Sequence, residues 1–221
     1  MKDESRDLVM FDYDGVIVDS FEVFSTAFVD ASRMAGIGAV TTPEQVRALF
    51  EDNFYASLRT AGATDSQIDK ALSRTAEALI RASHWLRPFP LMPQVLAELG
   101  ESRTVVIVTS SPRAVVEGWL RRHGVQGVAE VAGAETGRSK VEKIRDLTAR
   151  FAGQEAYWFV GDTAGDMREA RDAGVTPLGV AWGWHDPELL ELAGAERIAA
   201  DPVDLLAIVA PDLKADFLGI G

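Results

Sequence analysis

LVMFDYDGVIVDS occupies residues 8–20. Four apolar residues, Leu8 to Phe11, run straight into three carboxylates, Asp12, Asp14 and Asp19, with Gly15 between the last two. The apolar run reads as a short buried strand, and the residues after it read as the loop at its carboxyl end. Like charges this close repel, and a carboxylate at a partly buried strand end is costly unless something positive neutralises it. Such a cluster sits on a metal ion or in a loop where water solvates it.

The rest of the chain repeats this alternation. TVVIV at 104–108, YWFV at 157–160 and TPLGVA at 176–181 are further apolar runs ending in small or polar residues. Helical periodicity comes after them at 112–123, 139–151, 164–173 and 187–193. Strand, helix, strand at this spacing predicts an α/β fold, a Rossmann-like parallel sheet flanked by helices. Between the first two clear strands, residues 20–35, 43–61 and 65–86 read as helices instead, with Thr42-Pro43-Glu44 and Thr64-Asp65 as helix starts. RPFPLMP at 87–93 reads as a Pro-rich linker. The expected organisation is a catalytic core at 1–16 and 88–221, interrupted by an α-helical cap at 17–87.

Bulk properties exclude several classes. The chain has 221 residues, 47% hydrophobic, enough for one sizeable domain with an insertion. It has no cysteine, so disulfides, thiolate metal sites and thiol nucleophiles are excluded. The charged start MKDESRD is expected to fray and does not resemble a signal peptide, and no stretch approaches a membrane span. A net charge of −12 argues against nucleic acid and anionic membranes as partners. A cytoplasmic location is expected, with oligomeric state left open between monomer and homodimer.

In open parallel sheets ligands sit at the carboxyl ends of the strands. Those ends carry Asp12-Tyr13-Asp14-Gly15, then Thr109 and Ser110, then Gly161-Asp162-Thr163-Ala164-Gly165-Asp166, while Lys140 and Lys143 open the helix before the last of these strands. If the strands are neighbours, one crevice collects four carboxylates, two hydroxyls and a lysine. Carboxylates suit Mg²⁺, a hard ion that keeps sites free for substrate phosphate. A carboxylate can also attack phosphorus, hydroxyls and a lysine can hold the phosphoryl oxygens, and a second carboxylate can serve as acid and then base. Gly15 allows close backbone approach to a phosphoryl group.

These segments resemble the four motifs of the haloacid dehalogenase superfamily, in family order over about residues 8 to 185. FDYDGVIVDS resembles the first motif, which implies Asp12 as nucleophile and Asp14 as acid/base. VVIVTS resembles the second, with Thr109 and Ser110 on the phosphate. GRSKVEKI resembles the third, with Lys140 as its lysine. FVGDTAGDMREARDAGV resembles the fourth, placing Asp162 and Asp166 with Asp12 and Asp14 on the metal side. GVAW at 179–182, with Gly183 next, is similar to a loop of phosphoglycolate-phosphatase-like members, and the helical insertion resembles their cap. The resemblance implies an Mg²⁺-dependent phosphatase acting on a small phosphorylated metabolite through an aspartyl-phosphate. β-Phosphoglucomutase-like relatives share the motifs, and a catalytically silent phosphate-binding protein would keep the fold.

Several residues carry a plainer alternative. Asp19-Ser20 reads as the cap of the first inserted helix, and Asp166 as a cap or a metal ligand. Lys143 competes with Lys140 from one turn away, with Lys143 expected in solvent. Trp182 and Trp184 read as packing, Lys70 as solvated, and His84, His123 and His185 lack ligand spacing. GIGAV at 36–40 follows a helix and lacks the third glycine of a dinucleotide loop. In the cap, Arg47, Asn53 and Arg59, set among Phe50, Phe54 and Tyr55, read as a solvated face with a crevice-facing alternative.

Overall fold

A computed structural model describes residues 7–213. The charged start and the last eight residues of the expected core lie outside the described residues. The chain runs β1 (Leu8–Phe11), β2 (Val18–Asp19), α1 (Phe21–Ala35), α2 (Pro43–Ala48), α3 (Phe54–Thr60), α4 (Asp65–Ala82), β3 (Arg87–Pro88) and α5 (Met92–Gly100). It continues through β4 (Thr104–Val108), α6 (Arg113–Arg122), β5 (Val128–Ala132), α7 (Lys140–Arg150), β6 (Tyr157–Gly161), α8 (Ala164–Ala173), β7 (Thr176–Val180), α9 (Pro187–Ala193), β8 (Arg197–Ala199) and α10 (Pro202–Val209).

Six strands form a parallel sheet in the order β5-β4-β1-β6-β7-β8. Side chains alternate across it. Val9, Phe11, Val105 and Ile107 pack with Val95 and Leu96 of α5, Trp119 of α6 and Leu205 of α10. Leu8, Met10, Val106, Val108 and Phe159 pack on the other face with Ile144 and Leu147 of α7 and Ala170 of α8. A sheet buried on both faces explains why its strands read as unbroken apolar runs. The order reverses at β1, and this switch point opens a crevice at the strand ends.

The register makes that crevice a site. Phe11 pairs with Ile107 on one side and Val160 on the other. Asp12, one residue past Phe11, and Thr109 and Asp162, two residues past Ile107 and Val160, therefore come to one rim.

Helices α1 to α4 carry an apolar cluster of their own, with Phe28, Val46, Leu58 and Ile68 fully buried. The segment begins and ends on an antiparallel ladder of Val18–Asp19 with Arg87–Pro88. Thr42 and Thr64 both form capping boxes with the glutamine three residues on, as their positions predict. The helix expected over 43–61 is broken: α2 passes through a single 3₁₀ turn at Leu49–Glu51 and ends before α3. Asp52 and Asn53 cause the break. Asp52 accepts the Asn53 N–H at 2.8 Å, and Asn53 caps α3 by accepting the Ala56 N–H at 3.2 Å. None of the described helices is long and apolar enough to cross a membrane.

Candidate active site

Asp12 leaves β1 with its backbone still in the sheet, its N–H donating to Val160 O at 2.9 Å. Its Oδ1 accepts the Tyr13 N–H at 2.7 Å and its Oδ2 accepts Lys140 Nζ at 2.6 Å. The same ammonium donates to Asp166 Oδ1, also at 2.6 Å. Burial pushes the Asp12 carboxyl up to about 7, a rise that Lys140 opposes and Asp166 and Asp14 reinforce. Burial works against the charge on Lys140 as well, but Asp12, Asp166 and Glu169 outweigh it and hold the ammonium well above its usual range.

Asp162 follows β6 directly and is fully buried, with Oδ2 accepting the Trp184 N–H at 2.8 Å. Its Oδ1 is buried and has no hydrogen-bond partner among the described residues. Burial first, then Asp166 and Asp12, raise its carboxyl well above the usual range. Asp166 takes the capping role expected of it. Its Oδ2 closes a capping box with Thr163, accepting Oγ1 at 2.7 Å and the N–H at 3.1 Å, while Oδ1 turns to Lys140. Carboxylate oxygens of Asp12, Asp162 and Asp166 lie within 4.8 Å of one another. This buried all-oxygen set holds three carboxylates against the single ammonium of Lys140, with one Asp162 oxygen unpartnered among the described residues, and it fits a hard divalent cation.

Asp14 stands apart from that trio. Its Oδ2 accepts the Ser111 hydroxyl at 2.5 Å, so its carboxylate is turned toward the β4 loop, away from the three clustered carboxylates. Burial raises its carboxyl, while the Ser111 and Ser20 hydroxyls and Lys140 pull it back down. Gly15 comes next at φ 78°, where a Cβ would collide with the Asp162 carboxylate and the Trp184 ring. Only glycine fits this turn.

Thr109 Oγ1 accepts the Ser111 N–H at 3.0 Å, which leaves its hydroxyl proton available to donate. Thr109, Ser110 and Lys140 all line one cavity with Asp12, Asp14, Asp162 and Asp166. Ser110 is exposed at its rim, and the hydroxyl that reaches a carboxylate belongs to its neighbour Ser111. Lys143 is not solvated as expected: it is 3% exposed and donates to Thr109 O and Gly133 O at 2.8 Å each. Burial and the adjacent Lys140 push its ammonium down to about 8.

A family model described as haloacid dehalogenase-like hydrolase matches residues 9–180. The chain belongs to this family. Haloacid dehalogenase-like relatives include a phosphoglycolate phosphatase of Synechococcus elongatus, 29% identical and covering 91% of this chain and 96% of its own. Another, from Vibrio parahaemolyticus, is 25% identical over 95% of this chain and 99% of its own. A haloacid dehalogenase-like structure from Streptococcus pneumoniae superposes with a TM-score of 0.74 at 23% identity, covering 93% and 99% of the two chains, and shows the shared fold.

Within this haloacid dehalogenase-like site, some contributions escape a reading of the motifs. Ser20 occupies the cap position of α1 without capping it, and its buried hydroxyl has no hydrogen-bond partner among the described residues. Asn53 reaches the crevice and donates to Glu169 Oε1 at 2.9 Å, whereas Arg47 lies over the Phe21 ring and Arg59 pairs with Asp65 at the surface. His185 is buried. Its Nδ1 accepts the Ala164 N–H at 2.9 Å and its Nε2 lies 3.1 Å from Arg47 O, joining the core to the helical segment. Burial lowers its imidazole below the usual range, favouring the neutral ring this arrangement uses. Trp184 packs against Phe21, Phe24 and Phe50 as expected for a packing residue, but its backbone N–H also orients Asp162.

Proposed function

We propose that the chain is a phosphatase of small phosphomonoesters working through an aspartyl-phosphate on Asp12, with residues 17–87 as its cap. The observation that carries this reading is the pairing of Asp12, fixed between the Tyr13 N–H and Lys140, with a separately held acid two residues on. Asp12 attacks phosphorus as the ester oxygen departs. Asp14, kept protonated more readily by burial, gives its proton to that oxygen, and the alcohol leaves. Asp14, now ionised, takes a proton from water as the water oxygen attacks phosphorus; the bond to Asp12 breaks and inorganic phosphate is released. Lys140 and the Thr109 hydroxyl stabilise the phosphoryl oxygens in both steps. Asp12, Asp162 and Asp166 would hold Mg²⁺, which supplies charge neutralisation between carboxylates and phosphate. A small phosphorylated metabolite as substrate agrees with the names of the relatives.

The test is phosphate release from phosphomonoesters with Mg²⁺. Asp12→Asn is expected to lower turnover by roughly three orders of magnitude or more, since an amide neither attacks phosphorus nor carries charge. Asp14→Asn is expected to lose far more with alkyl than with aryl phosphates, whose leaving groups need little protonation. Interconversion of sugar phosphates without net phosphate release would establish a mutase instead.

A further inference from the structure

The catalytic cavity extends well past the groups that handle phosphate. Its volume is about 340 Å³, the size of a pocket for a whole organic ligand. The end away from the carboxylates is built by the helical segment. Phe24 of α1, Phe54 and Tyr55 of α3, and Leu72, Ala76 and Leu79 of α4 line it. The three α4 residues are spaced i, i+4, i+7 and so form one apolar stripe. The aromatic wall is packed in advance: ring centroids of Phe50 and Phe54 lie 4.6 Å apart, those of Phe50 and Trp184 4.9 Å, and those of Phe24 and Phe54 6.4 Å. Rings already fixed against one another lose little freedom when a ligand arrives.

Several polar groups on these walls are engaged within the protein. The Asn53 amide is on Glu169 at 2.9 Å and the Thr75 hydroxyl on Ala71 O at 2.9 Å. Arg138 is paired with Asp69 and lies over the Tyr55 ring, 5.3 Å from its centroid. Arg138 and Lys140 are the cavity's two cations among the described residues, and both are held by carboxylates. Beyond the four aspartates of the catalytic end, the lining adds Asp52, Asp69 and Glu169. A leaving group bearing its own carboxylate would meet Asp52 and Glu169 beside the Arg138–Asp69 pair and, among the described residues, no cation free of a carboxylate. An uncharged, apolar one would cover the stripe and lose nothing to unpaired charge.

We propose that the alcohol half of the substrate is an uncharged apolar or aromatic group, selected by Phe54, Tyr55, Leu72 and Leu79. This rests on the phosphatase reading above and deepens it. It also separates this chain from the carboxylate-bearing ester in the names of its relatives.

The experiment compares phosphate release from phenylpropyl phosphate, ethyl phosphate and phosphoglycolate with Mg²⁺. It is joined by calorimetric binding of phenylpropylphosphonate and phosphonoacetate, which cannot be hydrolysed. Phenylpropyl phosphate is expected to exceed the other two in kcat/KM by about 100-fold. Leu72→Arg, at a half-buried position that tolerates a long side chain, is expected to cut the phenylpropyl-to-glycolate ratio by about tenfold or more. If phosphoglycolate is turned over as well as phenylpropyl phosphate, the proposal is overturned and the phosphatase reading stands. If no ester is hydrolysed, p-nitrophenyl phosphate included, yet phenylpropylphosphonate binds more tightly than phosphonoacetate, the phosphatase reading falls and the apolar subsite stands. Equal binding of the two phosphonates, or none, overturns the proposal.

Discussion

Lys140 and Lys143 stand one turn apart on α7, and both side chains turn inward. Lys140 bridges Asp12 and Asp166 at the reacting end, while Lys143 ties the carbonyls of Thr109 and Gly133 behind it. Lys140→Ala is therefore expected to lower kcat/KM by about 100- to 1,000-fold, as loss of a preorganised charge at a transferring group does. Lys143→Ala takes the ammonium from both carbonyls, of which Gly133 O keeps the Thr136 N–H at 3.1 Å, and is expected to cost about 2 kcal/mol of stability in urea titration, with a smaller loss of turnover. A larger kinetic loss for Lys143→Ala would shift the catalytic lysine by one turn. Sequence alone brings out Asp12 and Asp162 because each comes directly after an apolar run, so the strand end places it. It cannot separate Lys140 from Lys143, or Ser110 from Ser111, because those choices depend on how a loop turns after the strand. TSSP offers three consecutive hydroxyls, and only the fold shows that Thr109 folds back on the Ser111 N–H so that Ser111 meets Asp14.

At the scale of elements, the helix that begins at Ala164 is tied to the site by its own cap. Thr163 and Asp166 satisfy each other's backbone N–H groups, and this box holds Asp166 with its second oxygen toward Lys140. Thr163→Ala removes the cap and the 2.7 Å bond that orients Asp166. The expected cost is about 1 kcal/mol in stability. A loss of turnover beyond what the unfolded fraction explains should accompany it; a variant with wild-type turnover and lowered stability would make Thr163 a cap alone. The elements legible in the sequence are those with strong periodicity or caps, such as α1, α4, α8 and the four central strands. β5 and β8 are not legible: VAEVA mixes small and charged residues at one sheet edge, and β8 is three residues long at the other. α5 is hidden by its prolines. RPFPLMP reads as a linker, yet Pro93 sits in the first turn of the helix, where the missing N–H costs nothing.

For the whole molecule, the helical segment is seated on the core by contacts that no single motif contains. Glu169 meets Asn53, His185 lies against Arg47 O, and Gly165 leaves no room for a Cβ beside the backbone of Phe50 and Asp52. This closes the cavity over clustered carboxylates, so charge balance in the site becomes a property of the folded state. Asp12 rises from 3.8 to about 7 on burial without a metal. Between those values the native state holds a proton that the unfolded chain has lost, so this group's contribution to stability is present below about pH 4 and is lost as pH rises through about 7. In EDTA, Asp12→Asn, which cannot titrate, is expected to gain stability relative to the unchanged chain between pH 5 and about 7.5. Urea titrations of both proteins across that range measure the difference. Saturating Mg²⁺ is expected to flatten it or reverse its sign, because the cation replaces the proton and favours the ionised carboxylate. Asp162→Ala should weaken that Mg²⁺ response. A stability difference that is independent of pH in EDTA, and untouched by Mg²⁺, would mean that Asp12 is ionised without a metal and that the cation site lies elsewhere.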